Sequence, residues 1–177
     1  MLVSFQGGGA GQWRVDRICA IRGDGLAPVG RVRVAEGTRL PPEGVWTLRG
    51  VTSNERYVER HERDALSAVQ EPLGRDSARC AALIPISKSD EWWDLTQDER
   101  RAIFEDRSHH IASGLEYLPA VARRLHHCRD LGDQFDFLTW FEFGPDAAGR
   151  FDELLGRLRA TEEWAYVVRE VEIRLSR

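Results

Sequence analysis

The stretch from Phe135 to Phe143 alternates between two sets of side chains with a period of two residues. Successive side chains of a β-strand point to opposite faces of the sheet, so this period predicts a strand. The segment before it, about Val121 to Cys128, reads by the same rule, and together the two predict a β-hairpin. One face of the second strand is rich in phenylalanine and carries Phe135, Phe137, Thr139, Phe141 and Phe143.

Arg123 is the residue of this hairpin that does not suit an apolar interior. It shares a face with Val121, Leu125 and His127, and that face would meet the phenylalanine-rich one. A guanidinium stays charged at any ordinary pH, so burying it without a partner is costly. Two simple explanations are open: Arg123 belongs to an ion pair, or its strand is an edge whose face is wet. The pattern alone favours these over a functional role.

The hairpin lies in a C-terminal half with a regular order of elements. A continuous apolar run, Cys80–Ile86, predicts a buried strand. Thr96 and Glu99 have the spacing of a capping box, which predicts the main body of a helix. The predicted order is a strand at 80–86, a helix at 90–107, the same helix or a second one butted onto it as far as Leu118, the hairpin, a helix at 147–158 and a strand at 163–175. This β-α-β-β-α-β order is the ferredoxin-like arrangement of an α+β protein.

The N-terminal half, 1–78, predicts several strands and one helix. The strands are expected at 2–5, 13–22, 29–35 and 45–52, and the helix from a cap at Ser53 or Asn54 to about Glu71. The cluster Gly7–Gly11 lacks a GxGxxG or GxxxxGK pattern and opens no helix, so we interpret it as a hairpin loop. We expect one domain over 1–177, in which this reduced half packs on the core of 79–177.

Composition excludes several classes of function. With a net charge of −4 and scattered basic residues, the chain has no basic stripe for nucleic acid. Its three cysteines have no CxxC spacing, which argues against a zinc knuckle or a disulfide scaffold. No apolar run approaches the roughly 18 residues of a membrane span. The first residues lack the pattern of a secretory signal, so we expect a cytoplasmic protein, with a periplasmic location still open.

Helical spacing separates the neighbouring histidines His109 and His110. The residues three and four positions from His109 make a wet face, whereas His110 borders an apolar stripe of Phe104, Ile111, Leu115 and Leu118. Gly114, one turn on, leaves space for something bulky. Two interpretations stay open for His110: a hydrogen-bonded core histidine, or a ligand of a metal or haem. His126 and His127 lie on opposite faces of a strand and cannot chelate one ion.

His110 and Arg123 would suit one kind of site together. A haem iron can be held by a proximal imidazole while a single cation lies on the opposite face. A carboxylate on the second ring nitrogen normally tunes such a histidine. A distal arginine cannot serve as a base, but it attracts and holds small anions and steadies negative intermediates.

The sequence around these two residues resembles the chlorite dismutase family, over nearly the whole C-terminal half. The matching stretches are His110, Leu115, Tyr117–Pro119, Val121–Leu125 and Asp136–Glu142, together with Ile84–Lys88, Trp92–Trp93 and Thr161–Trp164. Gln12–Arg14 and Gly50–Asn54 also resemble the short branch of that family. The chain length fits that branch, whose members form dimers rather than pentamers.

The resemblance implies haem b bound in a dimeric α+β-barrel fold. His110 would be the proximal iron ligand and Arg123 the flexible distal catalytic arginine. Glu163 would hydrogen-bond His110, with Lys88 near it; Glu162 is adjacent, and only the expected register selects Glu163. The remaining implied cofactor contacts are Trp92 at the haem, Thr139 and Phe141 on the distal side, and Gln70 reaching the distal pocket.

The resemblance also implies an enzyme that converts chlorite, a small anion, to chloride and dioxygen, working as a homodimer. Two alternatives stay open within the superfamily. One is a haem-binding, haem-sensing or weakly peroxidatic protein. The other is a coproheme decarboxylase, which Arg123 and the short N-terminal region argue against. Outside the superfamily, the simplest alternative is a ligand-free ferredoxin-like domain.

Overall fold

The strands of the described chain form a closed antiparallel barrel. The computed structural model describes residues 1–37, 44–54 and 56–177. The strands are β1 (Leu2–Gly8), β2 (Trp13–Arg22), β3 (Arg31–Glu36), β4 (Trp46–Thr52), β5 (Cys80–Lys88), β6 (Val121–His127), β7 (Phe137–Phe143) and β8 (Val167–Ser176). Around the barrel they follow the order β1-β3-β2-β8-β5-β7-β6-β4, and each neighbouring pair is antiparallel.

Helices cover one part of the outer surface of the barrel. They are α1 (Arg60–Val69), α2 (Asp90–Asp94), α3 (Gln97–Arg101), α4 (His110–Glu116) and α5 (Ala148–Arg159). A π-helical turn, Ala102–Arg107, joins α3 to the segment before α4, and a 3-10 turn, Glu162–Tyr166, precedes β8. Further 3-10 turns lie at Arg129–Leu131 and Pro145–Ala147. None of the described helices has the length and hydropathy needed to cross a membrane.

The alternation along β7 divides the protein between two apolar cores. Leu138 and Trp140 point into the barrel, where they pack with residues from most of the other strands. Phe141 and Phe143 point outward and pack against α5, where Phe151 is fully buried. Because one strand serves both cores, the outer face of the β6–β7 hairpin lies between the barrel and its helices.

The predicted fold class is confirmed. The C-terminal half has the β-α-β-β-α-β order of an α+β barrel, and the capping box is present, with Glu99 accepting hydrogen bonds from the N–H and hydroxyl of Thr96 at 2.7 and 2.8 Å. The hairpin register pairs Arg123 with Phe141 and Leu125 with Thr139. The arginine-bearing face therefore meets the phenylalanine-rich face, as the period of two predicts. Phe135 is the exception: it precedes β7 and packs in the barrel core with Leu138 and Trp140.

The hairpin loop predicted at Gly7–Gly11 is wrong. Strand β1 continues through Gly7 and Gly8 and pairs with β3 and β4, so β1 and β2 are not a hairpin. The bare Cα of Gly7 lies against the ring of Trp46: a Cβ there would lie 2.2 Å from Cε2 of the indole. The glycine at this position is needed for close packing inside a strand, not for a turn.

Other predicted boundaries also differ. The N-terminal helix begins at Arg60, not near Ser53, because Tyr57 has a left-handed φ of 62° and a capping box of Glu59 and Glu62 starts the helix later. The helical stretch expected over 90–118, as one helix or two butted together, is broken into more pieces than that, and the last break is at His109, whose φ is 50°. Glu163 lies in the 3-10 turn before β8 and not in the strand.

Candidate active site

A large cavity lies between the outer face of strands β5, β6 and β7 and the helices that cover it. It holds about 1410 Å³ of space free of protein atoms, counting its open mouth. Seven of the eight residues predicted for the site line this cavity: Gln70, Lys88, Trp92, His110, Arg123, Thr139 and Glu163. Phe141 is not part of the lining and packs against Phe151, with 5.0 Å between ring centroids.

His110, Glu163 and Lys88 form a buried chain of hydrogen bonds in the cavity wall. Nδ1 of His110 lies 2.6 Å from Oε2 of Glu163, and Nζ of Lys88 lies 2.7 Å from Oε1 of the same carboxylate. The side chains of Lys88 and Glu163 are 1% and 4% exposed. Lys88 is the single lysine among 25 basic residues, and its backbone N–H is held by Asp136 at the end of β5.

Glu163, and not its neighbour Glu162, is the carboxylate that the fold brings to His110. Glu162 instead pairs with Nε of Arg107 at 3.0 Å, where both side chains are about half exposed. The 3-10 turn points adjacent residues in different directions, so only one of the two reaches the interior. The backbone N–H of Glu163 donates to Oγ of Ser108 at 3.0 Å, which fixes the turn next to α4.

The ionised state of Glu163 determines which ring nitrogen of His110 carries a proton. Burial by itself would raise the pKa of Glu163, but electrostatic attraction to Lys88 and His110, together with the hydrogen bonds from both, lowers that pKa to about 2. Burial lowers the pKa of Lys88, and the charge of Glu163 opposes that change. An ionised carboxylate only accepts hydrogen bonds, so Nδ1 of His110 is the donor. In the neutral imidazole, Nε2 then keeps the lone pair that a metal ion needs.

Arg123 is a positively charged residue of the cavity wall. Among the described residues, no side chain or backbone group makes a hydrogen bond or an ion pair with its guanidinium. Its side chain reaches from β6 to α4, where a Cβ on Gly114 would lie 2.7 Å from its Nη1. Burial lowers the pKa of Arg123, and the charges of Glu105 and Glu163 oppose that change. Strand β6 pairs with β7 along its length and with β4 at His126 and His127, and the Arg123 guanidinium packs against α4, so an exposed wet face does not explain this arginine. The arrangement leaves a positive group available to a small anion.

Two buried donors in the lining have no hydrogen-bond partner in the described part of the chain. They are Nε1 of Trp92 and the hydroxyl of Tyr57. Nζ of Lys88 lies 4.3 Å from the centre of the Trp92 ring, which contributes a cation–π contact. Buried donors are usually satisfied, so two orphans beside one cavity indicate a ligand with acceptor groups.

The donors and shape of this cavity fit haem. Haem needs an imidazole with a free lone pair, which Nε2 of His110 supplies, and a wall of aromatic and aliphatic groups for its flat macrocycle. Apolar and aromatic lining residues include Leu66, Ile86, Trp92, Phe104, Ile111, Leu125 and Phe137. The orphaned N–H and hydroxyl groups would suit the carboxylates that haem carries at its edge.

Sequence reasoning missed several residues of the site. Phe104 stacks on the His110 ring with 4.3 Å between centroids; the helical spacing had placed it only on the neighbouring apolar stripe. Arg56, Tyr57 and Arg63 also line the cavity, from the segment at the start of α1. A run rich in arginine before a short amphipathic helix was the available signal, but it is equally typical of a solvated surface.

Comparisons with known proteins agree with this geometry. The family model described as chlorite dismutase matches residues 39–177. Chlorite dismutase of Ideonella dechloratans is 30% identical over 125 residues, which span 70% of this chain and 42% of that protein. The match thus covers less than half the length of this curated relative.

Solved structures resemble the whole chain. Dimeric chlorite dismutase from Nitrobacter winogradskyi is 56% identical with a TM-score of 0.92, over 99% of both chains. A mutant chlorite dismutase from Candidatus Nitrospira defluvii, in complex with cyanide, has a TM-score of 0.70 at 22% identity, over 99% of this chain and 90% of that one. At that identity the second likeness concerns the fold alone.

Proposed function

The chain belongs to the chlorite dismutase family, and we propose that it is a haem b enzyme that decomposes chlorite to chloride and dioxygen. One observation carries the proposal. A histidine held through Nδ1 by a buried carboxylate lines the same cavity as an arginine whose guanidinium makes no hydrogen bond or ion pair with the rest of the described chain. The likeness over the full chain to a dimeric chlorite dismutase supports the same substrate and a homodimer.

In this proposal His110 is the protein ligand of the haem iron, through Nε2. Glu163 and Lys88 keep the imidazole oriented and its Nδ1 protonated, which raises the basicity of the ligand. When bound, the haem iron supplies the oxygen-transfer chemistry that side chains lack. Trp92, Thr139 and Gln70 belong to the wall of the site in this scheme. Phe141 is left out, because it packs against α5.

Arg123 is positively charged, and the proposed substrate, chlorite, is an anion. A partly buried guanidinium attracts a small anion into a cleft and holds it by charge-assisted hydrogen bonds. Conversion of chlorite to chloride and dioxygen conserves atoms and charge and takes up no proton, so the residue that holds the anion need not be an acid or a base. The same cation would hold a chlorine-containing anion, chlorite or hypochlorite, in the cavity.

The barrel also supports a single domain over 1–177. The four strands of 1–78 lie side by side in the closed sheet, and so do the four strands of 79–177; the two sets meet where β2 pairs with β8 and where β4 pairs with β6. Neither half closes the sheet without the other. We therefore treat the haem site as a property of the whole chain.

The test is oxygen release from chlorite by the hemin-loaded protein, followed with an oxygen electrode. We expect rapid release that His110→Ala abolishes, together with a change of the Soret band. Arg123→Ala should lower kcat/KM by about 10²–10³-fold, as for the loss of a group that stabilises developing charge. It should also let hypochlorite escape, which a chlorination trap would detect.

Arg124→Ala is the matched control, because Arg124 is the next residue on β6 and pairs with Glu36 away from the cavity. It should keep wild-type turnover. Full activity of Arg123→Ala would remove the proposed role of that residue. A Soret band that depends on His110, without oxygen release, would leave a haem-binding or sensing protein.

A further inference from the structure

Glu105 lies in the π-helical turn before His110 and makes hydrogen bonds both at the end of that turn and at the start of α4. Its backbone carbonyl accepts a hydrogen bond from the N–H of His109 at 2.8 Å, where the π-helical turn ends. Its carboxylate accepts hydrogen bonds from the N–H groups of Ile111 at 2.5 Å and Ala112 at 3.2 Å, in the first turn of α4. One residue therefore sets the angle between the π-helical turn and α4.

Helix α4 depends on Glu105 for its N-terminal capping. His109 occupies the N-cap position in the left-handed region, and its side chain makes no capping hydrogen bond. The first N–H groups of a helix need acceptors from outside the helix. Ile111 is 1% exposed, so water is a poor substitute for the carboxylate there. Without Glu105, the start of α4 would have to move to satisfy these groups.

The segment around Glu105 also contacts both members of the His110–Glu163 pair. Phe104, its neighbour in the π-helical turn, stacks on the imidazole of His110. Ser108 accepts the backbone N–H of Glu163. The joint from Phe104 to His110 thus places the imidazole and its carboxylate relative to each other. π-helical turns of this kind are frequent at functional sites.

We propose that Glu105 is a positioning residue, which holds the first turn of α4 so that Nδ1 of His110 keeps its hydrogen bond to Glu163. The inference rests on the proposed function, in which His110 binds the haem iron. Glu105 acts through His110 and not by contact with the cofactor. A shifted α4 would lengthen the His110–Glu163 hydrogen bond, make the imidazole less basic, and so weaken the donation of electrons to the iron.

The test compares hemin-loaded variants by two measurements that do not depend on turnover. Resonance Raman spectra of the ferrous protein give the iron–histidine stretching frequency, and a redox titration gives the reduction potential of the iron. Glu105→Ala should lower the stretching frequency and raise the reduction potential. Glu99→Ala is the matched control, because it removes a glutamate cap from α3, away from the cavity. It should lower thermal stability and leave both values at those of the wild type.

Glu105→Gln separates the hydrogen bonds of Glu105 from its charge, which also acts on Arg123. The amide oxygen can still accept from Ile111, so this variant should keep a stretching frequency near that of the wild type. If Glu105→Ala does not fold, Glu105→Asp, whose carboxylate is one methylene shorter, should give a smaller shift in the same direction.

Wild-type values in Glu105→Ala, or in Glu105→Asp if the alanine variant does not fold, would overturn the inference. Equal shifts in Glu105→Gln and Glu105→Ala would overturn it too. An iron–histidine band that is missing from the wild type, or that survives His110→Ala, would instead refute the proposed function on which it rests.

Discussion

Replacing Lys88 by methionine tests the buried ion pair that supports the candidate haem ligand. Methionine is similar in length and volume to the lysine stem, so packing over the Trp92 ring is kept while the charge is lost. Glu163 would then be a buried carboxylate without its ammonium partner. It would still accept the hydrogen bond from His110 at Oε2.

The expected cost follows from the geometry of the pair. At 2.7 Å, the Coulomb energy of two unit charges is about 6 kcal/mol for an effective dielectric constant of about 20. Breaking a buried pair by removing one partner typically costs about 3–5 kcal/mol. Because His110 still donates to the carboxylate, we expect the lower part of this range, about 3 kcal/mol at pH 7. That is a large share of the roughly 5–15 kcal/mol that stabilises a native protein.

Urea unfolding of the haem-free protein, followed by tryptophan fluorescence and circular dichroism, measures this loss. With a slope of about 2 kcal/mol per molar urea, the midpoint should fall by about 1.5 M. The double variant Lys88→Met/Glu163→Gln removes both charges and should recover most of the loss. The reasoning is refuted if Lys88→Met loses less than about 1 kcal/mol, or if the double variant is no more stable than the single one.

Two further predictions concern buried titratable groups. Burial lowers the pKa of His126 to about 4, so the unfolded chain binds a proton at higher pH than the folded protein, and stability is lost as the pH falls from about 6.5 towards 4. We expect His126→Leu to remove about 2 kcal/mol of the stability lost between pH 7 and pH 5, measured by urea unfolding at both values; an unchanged difference would contradict this. Lys88, 1% exposed in its side chain, should resist an amine-reactive reagent. Mass spectrometry should then find one adduct, at the α-amino group, in the native protein and two after unfolding, whereas rapid double labelling of the native protein would show that Lys88 is accessible.

The hairpin was predictable because side chains alternate between the two faces of a strand. A period of two fixes which side chains share a face, and a slip by one residue would move all of them to the other face. The period of two places Arg123 with Leu125 and Thr139 with Phe141, and the observed register brings the two sets together on one face of the sheet, with Arg123 beside Phe141 and Leu125 beside Thr139. The same argument holds for β2, whose observed bounds, Trp13–Arg22, are the predicted ones.

The breaks in the helices were not predictable in the same way. The residues from Asp90 to Leu118 keep a helical pattern, and nothing local marks His109 as a stop. Its left-handed φ is compatible with the fold because Glu105 caps the next helix and Ser108 binds the backbone of Glu163. Tertiary hydrogen bonds of this kind override local propensity. The hairpin loop predicted between β1 and β2 was wrong for a related reason, since β1 pairs with β3 and β4, which come later in the chain.

By itself, the sequence determined the α+β class, the face of the hairpin that carries Arg123, and a histidine, His110, at the border of the core. These follow from periods of 2 and 3.6 residues, which are local properties of a strand and a helix. The residue pattern left open whether Glu162 or Glu163 meets His110; the family resemblance implied Glu163 with Lys88 nearby, and the tertiary structure brings these residues together and has Glu105 cap α4. His110 and Glu163 are 53 residues apart, and Lys88 and Glu163 are 75 apart. Which carboxylate reaches the imidazole depends on the direction of a single 3-10 turn, and that direction is set when the helices pack on the closed barrel.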